Sequence, residues 1–192
     1  DSRELEEKTL TIQREAYMKQ RNEILHADQR NLMLILFRII KSYAATASKD
    51  ETELNRLRHL IDVDKIKTNN PKELETLISN ALGNKLRNSK GNIPVSKYVD
   101  FLRERMLNVI DIYWISHLEN IEILKRTINA SIQTLNDPKA EYQRRANELY
   151  VQMGSYIQNE LITYSCIPSM SMGSYIIQDE PVKGEEKHEI HY

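Results

Sequence analysis

Apolar residues recur at helical spacing along most of the chain, and the spacing divides it into a few long elements. From about residue 3 to about 46, Leu10, Tyr17 and Ile24 lie seven apart and Leu25, Leu32 and Ile39 continue the seam, which predicts one long helix. At 1.5 Å per residue that helix is roughly 60 Å long, too long for one small globule, so it is expected to be a spine bridging several bodies. Its end, LMLILFRII, is apolar on nearly every side and predicts burial. From Val99 to Ile128 the stripe Val99, Leu102, Met106, Ile110, Tyr113, His117, Ile121, Leu124 and Ile128 advances by threes and fours, predicting a second long helix. Asp137 and Pro138 then supply an N-cap and a first-position proline for a third helix. It runs to about Tyr164 with a buried face of Tyr142, Ala146, Leu149, Met153, Tyr156 and Leu161. Two amphipathic helices with so short a connection fold back as an antiparallel hairpin, its exposed tip near Ser131 to Asn136.

Between spine and hairpin the pattern shortens. SKDE ends the spine, a short amphipathic segment carries Leu54, Leu57, Leu60 and Ile61, and Asn70-Pro71 opens another helix with Leu74, Leu77, Ile78 and Leu82. That helix is expected to dissolve into GNKLRNSKGNIP, a turn-rich stretch around Gly91 and Pro94. The whole reads as a small helical appendage. After Cys166 the text PSMSMGS is small-residue-rich, and residues 179–192 hold five acids against two lysines, so a flexible tail is expected over 166–192.

Composition agrees with an all-α protein: five Gly and five Pro, none before Pro71. With 27 basic and 28 acidic residues the formal charge is −1, which sets aside electrostatic adhesion to nucleic acid or an anionic membrane as the main activity. The single cysteine excludes an intramolecular disulfide framework and reads as a plain thiol from a reducing compartment. The run Leu32 to Phe37, interrupted by Arg38, is far short of the ~20 residues that cross a bilayer. The opening DSRELEEK has neither Met nor an apolar signal core, so the chain reads as a piece of something longer.

No catalytic or metal site emerges. Gly83-Asn84-Lys85 has no partner glycine, no hydroxyl residue after the lysine and no strand before it, so it is not a phosphate loop. His188 and His191 are close in sequence but sit in the tail, where a solvated terminus is expected. His117 falls in the apolar stripe, and no nucleophile or carboxylate at fixed spacing supports a general base, so a satisfied core histidine is expected. Trp114, the only tryptophan, is expected to anchor the hairpin against the spine. Lys125, Arg126, Lys139, Arg144 and Arg145 make the tip region the most basic, with Glu122 and Glu141 interleaved. A solvated face and a partner surface both fit.

Two stretches extend the picture. IQREAYMKQRNEIL, residues 12–25, resembles the opening of the helical scaffold of SecA, the bacterial preprotein translocase motor, through Gln13, Arg14, Gln20, Arg21, Asn22 and Glu23. YWISHLENIEILKRTI with NDPKAEYQRRANELYVQM resembles the SecA two-helix finger, where Trp114, His117, Leu118, Leu124, Ile128, Asp137, Pro138, Glu141 and Tyr142 fill the matching places. The order is also the family's, over roughly residues 5–165. The resemblance implies a long scaffold helix over 1–46, a helical wing over 47–98, a two-helix finger and scaffold over 99–165, and the tail. It implies that the full-length protein is a cytoplasmic, peripherally membrane-bound ATPase using ATP and magnesium, which pushes unfolded preproteins through a SecY-type channel. This piece would lack the nucleotide-binding domains and hold no cofactor.

By the same likeness the finger tip, Ser131, Ile132, Gln133, Thr134 and Leu135, would meet preprotein or channel. Gln13, Arg14, Gln20 and Arg21 would dock the motor's own nucleotide-binding domains, while Trp114, His117 and Tyr142 would pack the finger. No nucleic acid is implied, and a homodimer is admitted. Housekeeping members read approximately R-G-Y-A-Q-K-D-P at the tip, where Gln133 here replaces the tyrosine. With a shortened wing and no cysteine after Cys166 for the family's zinc-binding tail, this resembles an accessory SecA of Gram-positive bacteria. A stiff spine would carry motor displacement to the tip. The rival from the residues alone is a free-standing helical adaptor that binds a partner helix along the spine; a hairpin that anchors to a membrane surface is weakened by its interleaved acids.

Overall fold

The computed structural model describes residues 1–166; the expected acidic tail, with His188 and His191, lies outside them from residue 167 on. The fold is all-α, as expected. Among the described residues six α-helices run in the order α1 Ser2–His26, α2 Gln29–Ala47, α3 Glu51–Arg56, α4 Pro71–Ser89, α5 Val95–Ala130 and α6 Pro138–Ser165, with two 3-10 turns, Leu57–His59 and Val63–Lys65, between α3 and α4. Short polar side chains start most of them. Asp28, Asp50, Asn70 and Asp137 accept backbone N–H groups in the first turns of α2, α3, α4 and α6, satisfying donors that a helix start leaves unpaired.

The spine is not one helix. Ala27 is extended at φ −68°, ψ 132°, and Asp28 restarts the chain by accepting the N–H of Asn31 at 2.8 Å. No Gly or Pro marks the break, because none is needed: Asp28 is a good N-cap, and the guanidinium of Arg103 on α5 donates to the carbonyl of Ala27, where a cation suits a helix C-terminus. α4 also differs from expectation. It continues through Gly83 to Ser89 because Leu86 is fully buried and holds the extra turns. The turn is confined to residues 90–94, where Gly91 takes φ 54°, a conformation that costs glycine little.

α5 and α6 fold back on each other, and α1 lies along them as a third, antiparallel to α5. Most of the core is one cluster: Ile24, Leu32, Leu36, Ile40 and Tyr43 from α1 and α2, Leu57, Ile78, Leu82 and Leu86 from the appendage, and Leu102, Met106, Ile110, Trp114, Ile157 and Leu161 from the hairpin. The appendage therefore shares the core of α2. On α6 the buried face passes from Met153 to Ile157 and Leu161; Tyr156, expected inside, is exposed and stacks on Tyr113 at 6.1 Å with the Arg56 guanidinium 5.2 Å from its ring. Cys166 is buried with its Sγ 3.7 Å from the Leu82 carbonyl, and burial pushes its thiol up to about 11, which leaves it protonated and inert at neutral pH.

Candidate functional site

The turn that closes the hairpin is built from its own backbone. Thr134 N–H and its hydroxyl both donate to the Ser131 carbonyl at 2.9 Å, and Asp137 caps α6 through the Ala140 N–H at 3.1 Å. This presents Ile132, Gln133 and Thr134 to solvent. Leu135 faces the other way and packs on a second hydrophobic cluster of Ile121, Leu124, Ile128, Tyr142 and Ala146. Ser131 is half-buried, so the outward surface of the tip is narrower than its sequence suggests. Its basic character is also muted: Lys125 pairs with Glu122 at 3.0 Å, Arg144 with Glu141 and Glu148 at 2.7 Å, and Arg145 with Glu141 at 2.6 Å. Such exposed pairs stabilise by at most about 1 kcal/mol each, but they offset three of the five cations around the tip.

The seam between α1 and the hairpin is the most specific polar arrangement in the molecule. Gln13 is buried and spans both hairpin helices: its Nε2 donates to the Ala146 carbonyl on α6 at 3.3 Å, and its Oε1 lies 2.7 Å from His117 Nε2 on α5. The Ala146 carbonyl fixes the amide's orientation, so Oε1 is an acceptor and His117 Nε2 must carry the proton. The imidazole is flanked by Trp114 at 5.5 Å and, edge-on, by Tyr150 at 5.8 Å. Burial holds its pKa below the ordinary 6.5. One helical turn along, Trp114 stacks flat on Tyr17 at 4.7 Å and 7°. The Tyr17 hydroxyl donates to Asp111, whose same oxygen accepts Arg21 Nε at 3.1 Å. Desolvation, then Asp111, push the Tyr17 phenol up to about 12.

These contacts revise the surface set aside for the motor domains. Gln13 is not available, because burial against α5 and α6 consumes both ends of its amide, and Arg21 is turned onto Asp111. Arg14 is exposed and Gln20 half-buried. Sequence reasoning gave no role to Asp111, Tyr150 or the second tie at the hairpin's base. There Tyr43 of α2, fully buried, donates to Glu53 of α3 and accepts Asn159 Nδ2 of α6 at 3.0 Å. Asp111 sits one turn from Trp114 opposite the QR residues and was the readable clue; Tyr43 and Glu53 carry no such signal.

The His117 environment sets a pH dependence. The unfolded imidazole takes up a proton near 6.5 and the folded one only at lower pH, so folding releases protons in that interval and stability rises with pH across it. His117 therefore contributes fully above about pH 6.5 and progressively less as pH falls through that value toward the folded pKa, at about 1.4 kcal/mol for each pH unit spanned. Urea titrations at pH 7.5 and 5.5 should show this loss, and a His117→Asn variant should show a smaller one. Equal pH slopes in the two proteins would mean that His117 does not titrate on unfolding.

Comparison with known proteins adds three findings. A family model described as the SecA Wing and Scaffold domain matches residues 7–167. The protein translocase subunit SecA of Clostridium botulinum strain Loch Maree is 25% identical over 169 residues, covering 79% of this chain and 20% of that relative. The SecA subunits of Chlorobium phaeovibrioides and Trichlorobacter lovleyi are 29% identical over 129 residues and 38% over 61, covering 65% and 32% of this chain and 13% and 7% of those proteins. The chain thus spans about one fifth of the length of that Clostridium botulinum relative.

Proposed function

The chain belongs to the SecA wing and scaffold family, and from that premise we propose that it is the segment of a protein translocase that joins a nucleotide-driven motor to the polypeptide being moved. The observation that carries this reading is the Gln13 amide, which fastens α1 to both helices of the hairpin. With the Tyr17–Trp114 stack and the Tyr43–Asn159 tie, it couples the hairpin to α1 and α2 at several levels. A displacement delivered to the spine would then move the tip with it.

In this reading the exposed side of α1, including Arg14, receives the motor's nucleotide-binding domains, which would hold the ATP and magnesium. Ile132, Gln133 and Thr134 meet preprotein at the mouth of a SecY-type channel. The amide of Gln133 can both donate to and accept from a peptide backbone whatever its sequence, and Ile132 adds an apolar contact, which suits a substrate-tolerant tip. Gln133 in the place of the housekeeping tyrosine favours an accessory member of the family.

The test is Gln133→Gly in the whole translocase. Transport of a model preprotein into channel-bearing vesicles should slow by about three- to ten-fold, the equivalent of roughly 1 kcal/mol of contact, while ATP hydrolysis stays near its starting rate. An unaltered transport rate would take the tip out of the mechanism and favour a passive adaptor. Loss of hydrolysis in step with transport would put Gln133 in the motor's control instead.

A further inference from the structure

Tyr142 carries the one polar side-chain group of the distal cluster, whose other members are Ile121, Leu124, Ile128 and Ala146. That hydroxyl is buried without a protein hydrogen-bond partner, a condition that native folds seldom leave unrelieved. Arg103 Nε is the other such atom among the described residues, but the rest of its guanidinium already donates to Ala27 and Asp100. Tyr142 has no second polar atom. It lines a cleft between the start of α1 and the base of the tip, with Ser2 and Glu6 on one side and Asn129 and Lys139 on the other. Burial, then the charges of Glu6 and Glu122, push the phenol up to about 12, so it stays a neutral O–H donor at physiological pH. Glu6, half-buried on the facing helix, is an acceptor that the hydroxyl does not reach directly.

We propose that one water is built into this cleft, accepting the Tyr142 O–H and donating to the Glu6 carboxylate, so that the first turns of α1 are tied to the base of the tip. The volume fits. The cleft holds about 20 Å³, where a single water needs roughly 10–15 Å³ and two to four polar partners. Asn129 and Ser2 supply further partners. The chemistry also selects water, because Glu6 repels an anion, Lys139 at the rim disfavours a cation, and an apolar group would leave donor and acceptor unpaired. Glu6 stands seven residues before Gln13, two turns along the same side of α1. The bridge is thus a polar tie nearer the tip than the Gln13 amide. It is a property of this chain and does not rest on the translocation reading.

A crystal structure that shows ordered solvent should place a water about 2.5–3.2 Å from both Tyr142 Oη and a Glu6 carboxylate oxygen. A direct bond between the two residues, a cleft closed over the hydroxyl, or an ion in the water's place overturns the proposal. In solution the bridge makes the pair act as a unit. Tyr142→Phe and Glu6→Ala should each raise the unfolding equilibrium constant of the 192-residue chain, read from urea titrations, by about three- to ten-fold. The double variant should lose little more than the worse single one, because either change breaks the same bridge. Losses that multiply, as for two unrelated sites, overturn it. Glu6→Gln keeps an oxygen for the water to donate to and should lose less than Glu6→Ala; equal losses in those two variants overturn the role of the Glu6 acceptor.

Discussion

Trp114→Ala should lower the free energy of unfolding by about 3–5 kcal/mol, the range for truncating a large aromatic in a core that collapses only partly. Trp114 is buried where α1, α5 and α6 meet, flat on Tyr17 and beside His117. Its loss removes apolar burial, a stacking contact that adds about 0.5–1.5 kcal/mol beyond area, and part of the wall that keeps Gln13 and His117 dry. Urea titration followed by helical circular dichroism is the suitable measurement, since the variant has no tryptophan left to report by fluorescence. A loss below about 1 kcal/mol would mean that the surroundings close over the site and that the seam does not depend on this ring.

Gln13→Leu should destabilise by about 1–3 kcal/mol although leucine is apolar, similar in size and a good helix former, because it strands the His117 N–H in a buried site. The Ala146 carbonyl, inside α6, keeps its place in the helical ladder. Replacing His117 by leucine as well removes the stranded donor, so the double variant should recover much of the loss, and a double-mutant cycle should return a coupling energy of about 0.5–3 kcal/mol. Additive losses would show that the two side chains do not act as a pair.

Much of the hairpin was legible because its stripe is long, regular and flanked by strong punctuation. Val99 to Ile128 holds its period through nine positions, and Asp137-Pro138 marks the next start without ambiguity. α1 was misread in two respects with a common cause. Periodicity is carried by apolar residues, so a polar residue that faces inward, such as Thr9 or Gln13, is assigned to the surface by default. A break that uses only Ala27 and Asp28 leaves the apolar seam in phase and so goes unseen. Gly83 erred in the other direction: a glycine reads as a helix end, but neighbouring burial of Leu82 and Leu86 outweighs its roughly 1 kcal/mol penalty. Tyr156 was placed inside by spacing alone, and a ring so rich in edge and face contacts is well served at a boundary, under Arg56 and against Tyr113. The second tie, Tyr43 to Glu53 and Asn159, joins residues up to 116 apart in sequence, and no local pattern could announce it.

The interruption at Ala27 and Asp28 changes how force would travel. A continuous helix passes load end to end through its own ladder of hydrogen bonds. Here the ladder stops, and besides the Glu23–Arg38 ion pair at 2.7 Å the two pieces are held by a neighbour that overlaps both: α5, gripping the end of the first through Arg103 and packing along the second. Carpenters would recognise a lap joint, in which a push on one timber reaches the next sideways, as shear across the overlap. Stiffness between the two halves of the spine would then depend in part on Arg103, a side chain on the hairpin, and could be tuned by substitution there without touching the spine.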